Sequence, residues 1–255
     1  MRSIILCEGA DDAYILGYYL HKTSENPQWD FCSSETEFAK SYKLEGQSLR
    51  KSYSLYKRGD DVLAIWPVGG KNSFDKPLNS IYTVCTSHPE EKVDTLFLLS
   101  DRDDDSIRAS LDALEAALDK ALFHVSLHNE EASTFSYIVE DDEYTMQIIP
   151  VVIPFEKNGA LETVLMQAIA DTSDEDRFIT DSAIRYVQTL LSSGKLQRYL
   201  QHDREILKAE YSSVIAITNP DRSTATFDHL LMTHPWETKH EIQRHFDLFR
   251  EVLTT

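Results

Sequence analysis

Cysteine and long apolar runs are both scarce in this chain. Its 255 residues include three cysteines, Cys7, Cys32 and Cys85, and no Cys-x-x-Cys pair, which argues against a disulfide framework and a zinc knuckle. No uncharged apolar run reaches eighteen residues, and the run before Glu8 is too short for the core of a signal peptide. The sequence therefore predicts a globular, cytoplasmic protein that makes no contact with a membrane.

Basic residues are also few. The chain has 25 Lys and Arg against 43 Asp and Glu, a formal charge of −18. Such a chain has no general attraction for nucleic acid or anionic lipid, so a partner of that kind needs a local basic patch or bound cations. Walker A, Gly-x-Gly-x-x-Gly and Gly-x-Ser-x-Gly motifs are absent as well. These absences argue against NTPase, dinucleotide-dependent and serine-hydrolase activity.

The first half of the chain alternates strand-like apolar runs with helical patterns. The run at 93–106 is closed by an acidic turn, and its helix follows directly. Continuously apolar strands separated by helices indicate a mostly parallel sheet covered by helices on both faces. We therefore predict an α/β fold. The strand and helix pairs are 3–7 with 10–22, 62–70 with 71–87, and 93–106 with 107–125.

The second half departs from this alternation. Residues 133–155 predict a hairpin that turns at Glu140–Glu143 and leads into another buried strand, and a helix follows at 158–171. We predict an α/β domain over 1–172 and a C-terminal helical region over 173–255, packed on it as a cap. The helical segments of that region lie near 175–193, 197–217 and 238–253.

Four acidic residues stand where predicted strands end. Glu8 follows the first strand, Asp12 lies one helical turn beyond it, and Asp101 and Asp103 close a later strand. Function in open α/β sheets gathers at the carboxyl ends of strands, so we expect these four side chains to face one crevice. Crowded carboxylates repel each other, and hard oxygen ligands suit Mg²⁺ or Mn²⁺. The sequence predicts a divalent-cation site.

These acidic residues also have structural interpretations. Glu8 stands near a helix N-terminus, where the helix dipole favours an acid. The Asp-x-Asp is compatible with a solvated turn, or with a haloacid-dehalogenase-like phosphatase, although there it ends the first strand. His124 and His128 have the i, i+4 spacing of a zinc-binding helix but lack the glutamate of His-Glu-x-x-His. A zinc site is therefore the less favoured alternative.

Taken together, the motifs resemble the Toprim domain of topoisomerases, primases and OLD-type (overcoming lysogenization defect) nucleases. Its glutamate after the first strand is matched by Glu8 in "LCEG", and its Asp-x-Asp by Asp101 and Asp103 in "LLSDRD". The OLD-like branch adds a Glu-x-x-x-Asp, matched by Glu8 and Asp12, and a serine before the Asp-x-Asp, matched by Ser100. The resemblance covers residues 1 to about 210 and is closest to small stand-alone members. It implies a Toprim-like, Rossmann-like sheet.

The OLD-like branch also implies residues further along the chain. Its Gly-x-Leu-Glu is matched in "PFEKNGALE", which gives Glu162 as a further metal ligand, although that glutamate could simply favour a helix N-terminus. A lysine in a later helix corresponds best to Lys208, with a catalytic role. Asn158 stands where OLD nucleases have an aspartate, which puts a second metal ion in doubt.

The resemblance implies a metal-dependent nuclease that cleaves phosphodiester bonds of DNA or RNA with Mg²⁺ or Mn²⁺. Glu8 is then both a metal ligand and a catalytic residue. A topoisomerase is disfavoured because its chemistry needs a tyrosine nucleophile on a separate domain, and a primase is disfavoured because these residues contain no zinc-binding module. The alternative is a non-catalytic regulatory or binding subunit, such as one from an anti-phage (phage-defence) system with a separate ATPase partner.

Two segments are candidates for phosphate contact. Gly69-Gly70 with Lys71 follows a predicted strand, although a single diglycine is more often a tight turn than a phosphate cradle. Residues 40–58 carry a net charge of +5 and include Tyr42, Tyr53 and Tyr56, a composition typical of single-strand binding. A solvated amphipathic helix is the other interpretation of that segment. The residues of 40–58 that we predict to contact nucleic acid are Arg50, Lys51, Lys57 and Arg58.

Overall fold

The first strand, β1 (Arg2–Cys7), ends in an apolar run and lies within a mostly parallel sheet in the computed structural model. The structure describes residues 1–24, 27–32, 54–220, 227, 231 and 234–254. Seven strands of that part of the chain form the sheet in the order β2-β3-β4-β1-β5-β7-β6. The other strands are β2 (Asp30–Phe31), β3 (Ser54–Arg58), β4 (Asp61–Pro67), β5 (Thr95–Asp101), β6 (Ser133–Val139) and β7 (Asp142–Ile153).

The central strands are buried on both faces. β4, β1, β5 and β7 pair in parallel, and successive side chains of β1 enter opposite core clusters: Ile5 joins one, and Ile4 and Leu6 join the other. Strand side chains alternate between faces, so a strand covered on both sides is apolar at nearly every position. This explains the uninterrupted apolar runs, and the prediction of a mostly parallel sheet with helices on both faces is confirmed.

The helices form one layer on each face. α2 (Asp75–Ser87) and α3 (Ile107–Lys120) pack on one face, and α1 (Ala10–Thr23), α4 (Leu161–Ala170) and α7 (His240–Thr254) cover the other. Pro77 lies in the first turn of α2, where a missing amide hydrogen costs little. Within the described ranges, no helix combines the length and apolar character needed to cross a membrane.

The antiparallel strands lie at the two edges of the sheet. β2 and β3 form one edge, and β6 pairs with β7 through a turn at residues 140–141. The hairpin prediction is confirmed with one difference. β7 is a single strand that pairs with β6 along its first part and with β5 along its second, so the buried strand is the hairpin's own second strand.

The C-terminal helices continue the core of the sheet. α5 (Asp174–Ser192) and α6 (Asp203–Thr218) pack together beside α4, and α7 places Phe249 with its ring centroid 4.9 Å from that of Phe97 on β5. Complete burial of one such ring stabilises a fold by roughly 1.5–3 kcal/mol. This helical region is therefore joined to the sheet by apolar packing, and a domain boundary at residue 173 stays a prediction.

Candidate active site

The carboxylate of Glu8 is fixed by the strand next to its own. β1 and β5 pair with Cys7 opposite Leu99, which brings Glu8 beside Ser100 and Asp101. Oε1 of Glu8 accepts hydrogen bonds from Ser100 Oγ at 2.8 Å and from the Asp101 amide at 3.0 Å. Oε2 is buried and has no hydrogen-bond donor among the described residues. Glu8 is thus a buried acid with one oxygen oriented by the protein and the other unsatisfied.

Asp101 connects β5 to the start of α4. Its Oδ1 accepts a hydrogen bond at 3.1 Å from the amide of Leu161, which is the first residue of that helix. The amide hydrogens of a helix N-terminus lack partners within the helix and attract negative charge. Asp101 is buried, so this bond and the ion pair with Arg204 are its main compensations.

Arg204 is a site residue that the sequence did not single out. Its guanidinium lies 3.7 Å from Glu8 Oε2 and 3.6 Å from Asp101 Oδ2. Arg204 and Lys208 are four residues apart on α6, and both side chains border the same cavity. Since residues at i and i+4 share a helix face, the "REILK" stretch contained a usable signal once Lys208 was considered.

Asp12 and Glu162 lie at the entrances of two helices. Asp12 is the third residue of α1, and its Oδ2 accepts a hydrogen bond from the Gly9 amide at 2.7 Å, a capping contact. Glu162 lies in the first turn of α4 with its Oε1 3.8 Å from Lys208 Nζ. The helix-terminus interpretation of Glu162 therefore has structural support, and the carboxylates of Asp12 and Glu162 also face the cavity.

These residues surround a cavity of about 470 Å³ beyond the ends of β1, β4 and β5. Acidic groups outnumber basic ones in its wall, so the interior favours a bound cation over an anion. The residues that line it are Glu8, Gly9, Ala10, Asp11, Asp12, Gly69, Gly70, Asp101, Leu161, Glu162, Arg204 and Lys208.

Asp103 does not line the cavity that holds Glu8 and Asp101, contrary to the expectation of one common crevice. Its backbone has φ 53° and forms an antiparallel bridge with Gly159, with N–O distances of 2.6 and 2.8 Å. This left-handed turn directs Asp103 to a neighbouring cavity of about 640 Å³, while Lys71 Nζ lies 3.6 Å from its Oδ2. The Asp103 side chain is one third exposed. It pairs with Lys71, which the sequence predicts as a phosphate contact.

The amides of the diglycine turn are hydrogen-bonded to the backbone of Glu8. The amides of Gly69 and Gly70 both donate to the Glu8 carbonyl, at 3.0 and 2.9 Å, with φ values of 89° and 116°. Such φ values favour glycine. Lys71 Nζ is 2.8 Å from Asp105 Oδ2. These contacts favour a tight turn over a phosphate cradle, because both amides and the lysine already have partners.

The basic segment is only partly described. Arg50 and Lys51 lie outside the described residues, as do Tyr42 and Tyr53.

Its described end, 54–58, is a strand, so the helical interpretation is wrong there. Arg58 pairs with Asp61 at 3.0 Å and lies 5.0 Å from the centroid of the Trp29 ring, and Tyr56 is buried. Neither Arg58 nor Tyr56 is therefore available to nucleic acid in this conformation, whereas Lys57 is exposed.

The histidine pair does not form a zinc-binding helix. α3 ends at Lys120, and residues 123–128 are non-helical, so His124 and His128 do not share a helix face. His124 is exposed and lies 3.1 Å from Asp119 Oδ1. The zinc alternative loses its geometric basis.

Burial raises the pKa of the acids in the site. For Asp12, burial is the largest cause and the neighbouring Glu8, Glu162 and Asp11 add to it, so that its pKa is raised to about 7 despite the Gly9 hydrogen bond. The pKa values of Glu8 and Asp101 are raised as well, mainly by burial. Arg204 acts against both shifts. The fold therefore holds carboxylates where charge is costly without a cation.

We predict that the metal-free protein loses stability as the pH rises from about 4 to about 7. An unfolded Asp has a pKa near 3.9, so between these values folded Asp12 binds more protons than unfolded Asp12. The contribution of protonated Asp12 to the unfolding free energy is complete below about pH 4 and is lost above about pH 7. Asp12→Asn removes this titration and keeps an acceptor for the Gly9 amide.

Urea unfolding in EDTA at pH 5 and pH 8 measures the effect. The difference in unfolding free energy between the two pH values should be smaller in Asp12→Asn than in the wild type. His245, whose pKa is lowered by burial, has the opposite pH dependence, so the comparison between variants is the decisive one. An identical pH dependence in both proteins would contradict the prediction.

The chemistry of the donor set fits Mg²⁺ or Mn²⁺. Buried carboxylate oxygens, including Glu8 Oε2 without a donor, are the ligands that hard cations prefer. However, in the part of the chain that the structure describes, no three Asp, Glu, His or Cys side chains are grouped closely enough to hold a metal ion. The Arg204 guanidinium lies against both Glu8 and Asp101.

Gly159 is required by the turn that faces Asp103. Its φ is 142°, and a Cβ at this position would overlap the side chain of Thr163. We expect Gly159→Ala to lower the unfolding free energy by about 1–3 kcal/mol, the usual cost of a strained backbone, and to displace the start of α4. Gly59→Ala is the matched control, because φ is 59° there and open space surrounds the position. Equal losses in the two variants, measured by denaturant unfolding, would contradict the role of the Thr163 contact.

Fold and site together define an α/β protein with buried carboxylates at the C-terminal edge of a mostly parallel sheet. The chain belongs to the family described as "Protein of unknown function (DUF3226)", whose profile matches residues 2–253. No curated protein matches it. A crystal structure of a hypothetical protein from Pyrococcus horikoshii OT3 is similar, with 15% identity, a TM-score of 0.46, and coverage of 91% of this chain and 98% of that one.

Proposed function

We propose that this protein is a metal-dependent phosphodiesterase that cleaves DNA or RNA through a Toprim-like carboxylate site. The observation that carries the proposal is the buried pair Glu8 and Asp101, which lie side by side at the ends of adjacent parallel strands. One oxygen of Glu8 has no hydrogen-bond donor within the described ranges, and three acidic neighbours share the cavity. Without a cation, this concentration of buried charge destabilises the fold.

The resemblance to OLD-type Toprim nucleases supports the same assignment. The serine before the Asp-x-Asp is Ser100, which donates to Glu8 at 2.8 Å and so orients the proposed ligand. Asn158, at the position of an aspartate in those nucleases, donates to the carbonyl of Asp104 at 3.1 Å. An amide is a weaker ligand for Mg²⁺ than a carboxylate, so the proposal requires only one metal ion.

In this proposal, Glu8 and Asp101 hold Mg²⁺ or Mn²⁺, with Asp12 and Glu162 as further ligands and Asp103 beside the neighbouring cavity. A bound cation of this kind lowers the pKa of an attacking water and stabilises charge on the phosphate oxygens. Lys208 is about half exposed, and its ammonium group is directed into the cavity wall near Glu162, where it can contact a phosphate oxygen. Lys57 and the basic residues before it are proposed to contact the rest of the nucleic acid.

Cleavage by the purified chain tests this proposal. Plasmid DNA, single-stranded DNA and RNA are incubated with the protein in Mg²⁺, in Mn²⁺ and in EDTA. We expect cleavage of at least one substrate with either metal ion and none in EDTA. Absence of cleavage on all three substrates, with folded protein and both metal ions, would contradict an autonomous nuclease.

A second candidate function is a non-catalytic binding or regulatory subunit, for example beside an ATPase partner. The observation that favours it is the internal pairing of the site: Arg204 contacts Glu8 and Asp101, and Lys71 contacts Asp103 and Asp105. A site with its own counter-ions can be stable without metal. Metal-independent binding of nucleic acid, together with absence of cleavage, would favour this function over the nuclease.

A further inference from the structure

The positive charge of Arg204 compensates the negative charges of Glu8 and Asp101 without a hydrogen bond to either carboxylate. The guanidinium lies 3.7 Å from Glu8 Oε2 and 3.6 Å from Asp101 Oδ2, which is longer than a charge-assisted hydrogen bond. Glu8 Oε2 is buried, and in the part of the chain that the structure describes it has no hydrogen-bond partner. The contact is thus electrostatic, and it leaves the coordinating capacity of the oxygen unused.

We propose that Arg204 is a built-in competitor of the metal ion, an inference that rests on the proposed function. The oxygens nearest to the guanidinium, Glu8 Oε2 and Asp101 Oδ2, are those that a divalent cation at this site requires. Two cations about 4 Å apart repel strongly in a half-buried site. Arg204 therefore pairs with Glu8 and Asp101 in the metal-free protein and withdraws when the metal binds.

The structure provides a place for the withdrawn side chain. Arg204 also lines the neighbouring cavity of about 640 Å³, whose wall includes Asp104, Asp203 and Glu210. Its side chain is 45% exposed, so it can change rotamer without opening the core. In that position the guanidinium would lie beside these carboxylates and leave Glu8 Oε2 and Asp101 Oδ2 to the metal ion.

Calorimetric titration with MnCl₂ of protein stripped with EDTA tests the competition. We expect Arg204→Gln to bind Mn²⁺ about tenfold more tightly than the wild type, because a half-exposed charge pair is weakened by solvent screening but not abolished. Arg204→Lys, which keeps the positive charge, should stay closer to the wild type. Arg198→Gln is the control with the same change in net charge; Arg198 contacts the Tyr199 ring and lines neither cavity. Its affinity should be unchanged.

A double-mutant cycle in EDTA tests the metal-free contact separately. Arg204→Gln should lower the urea midpoint in the wild-type background and lower it less in an Asp101→Asn background. Equal losses in both backgrounds would overturn the role of Arg204 as counter-ion. Equal or weaker Mn²⁺ affinity in Arg204→Gln would overturn the competition and leave the metal site standing. If neither protein binds Mn²⁺, the competition and the proposed function both fail.

Discussion

Glu8→Gln should lower metal-dependent cleavage at least a hundredfold while the fold stays intact. Loss of one electrostatic participant in an active site typically costs two to three orders of magnitude in rate. The side-chain oxygen of glutamine can still accept the hydrogen bonds that Ser100 and the Asp101 amide donate to Oε1. The substitution therefore removes the charge and largely keeps the shape. Initial rates on the best substrate, with circular dichroism as a check on folding, measure the effect.

Glu131→Gln is the matched control for this variant. Glu131 is exposed in the loop before β6 and does not line the carboxylate cavity, and the change in net charge is the same. We expect this control to cleave at the wild-type rate. A Glu8→Gln variant that cleaves as fast as Glu131→Gln would show that Glu8 takes no part in the chemistry.

Asp101→Asn should stabilise the metal-free protein and abolish its response to metal. Burial and the neighbouring acids Asp12 and Glu8 raise the pKa of Asp101, so its negative charge costs stability at pH 8. Asparagine keeps an acceptor for the Leu161 amide. We expect a gain of about 1 kcal/mol, the usual size of one stabilising substitution, and a rise of about 2–4 °C in melting temperature.

The wild type and Asp101→Asn should differ more in their stabilisation by metal than in their metal-free stability. Saturating a site at one hundred times its Kd stabilises the folded state by about 2.7 kcal/mol, and Asp101→Asn should lose this gain. Thermal unfolding in EDTA and in excess MnCl₂ measures both effects, and Asp142→Asn, an exposed site at the start of β7, is the control. A metal-free variant that is less stable than the wild type would contradict the electrostatic argument. An undiminished metal response would contradict ligation by Asp101.

The sheet could be predicted because the central strands are buried on both faces. This burial makes the middle positions of β1, β4 and β5 apolar, and the helices between them carry a separate periodicity. Strand β3, which lies between the edge strand β2 and β4, was not predicted because its composition is basic and aromatic. Its strand conformation comes from antiparallel pairing with β4, a contact that local sequence does not specify.

The site was predictable to the extent that strand ends fix backbone positions. The position of Glu8 next to Asp101 follows from parallel pairing of adjacent strands. The direction of Asp103 does not, because it depends on a left-handed backbone and a bridge to Gly159, more than fifty residues away in sequence. Arg204 reaches the site from a helix of the C-terminal region, and only tertiary packing places that helix beside β1 and β5.

The most direct test of the carboxylate metal site is a crystal structure of the protein grown or soaked with MnCl₂, with anomalous diffraction data to locate Mn²⁺. The account predicts an anomalous peak about 2.1 Å from carboxylate oxygens of Glu8 and Asp101, with the Arg204 guanidinium withdrawn from both. Absence of a peak at saturating Mn²⁺, with Arg204 still paired to Glu8 and Asp101, would contradict it.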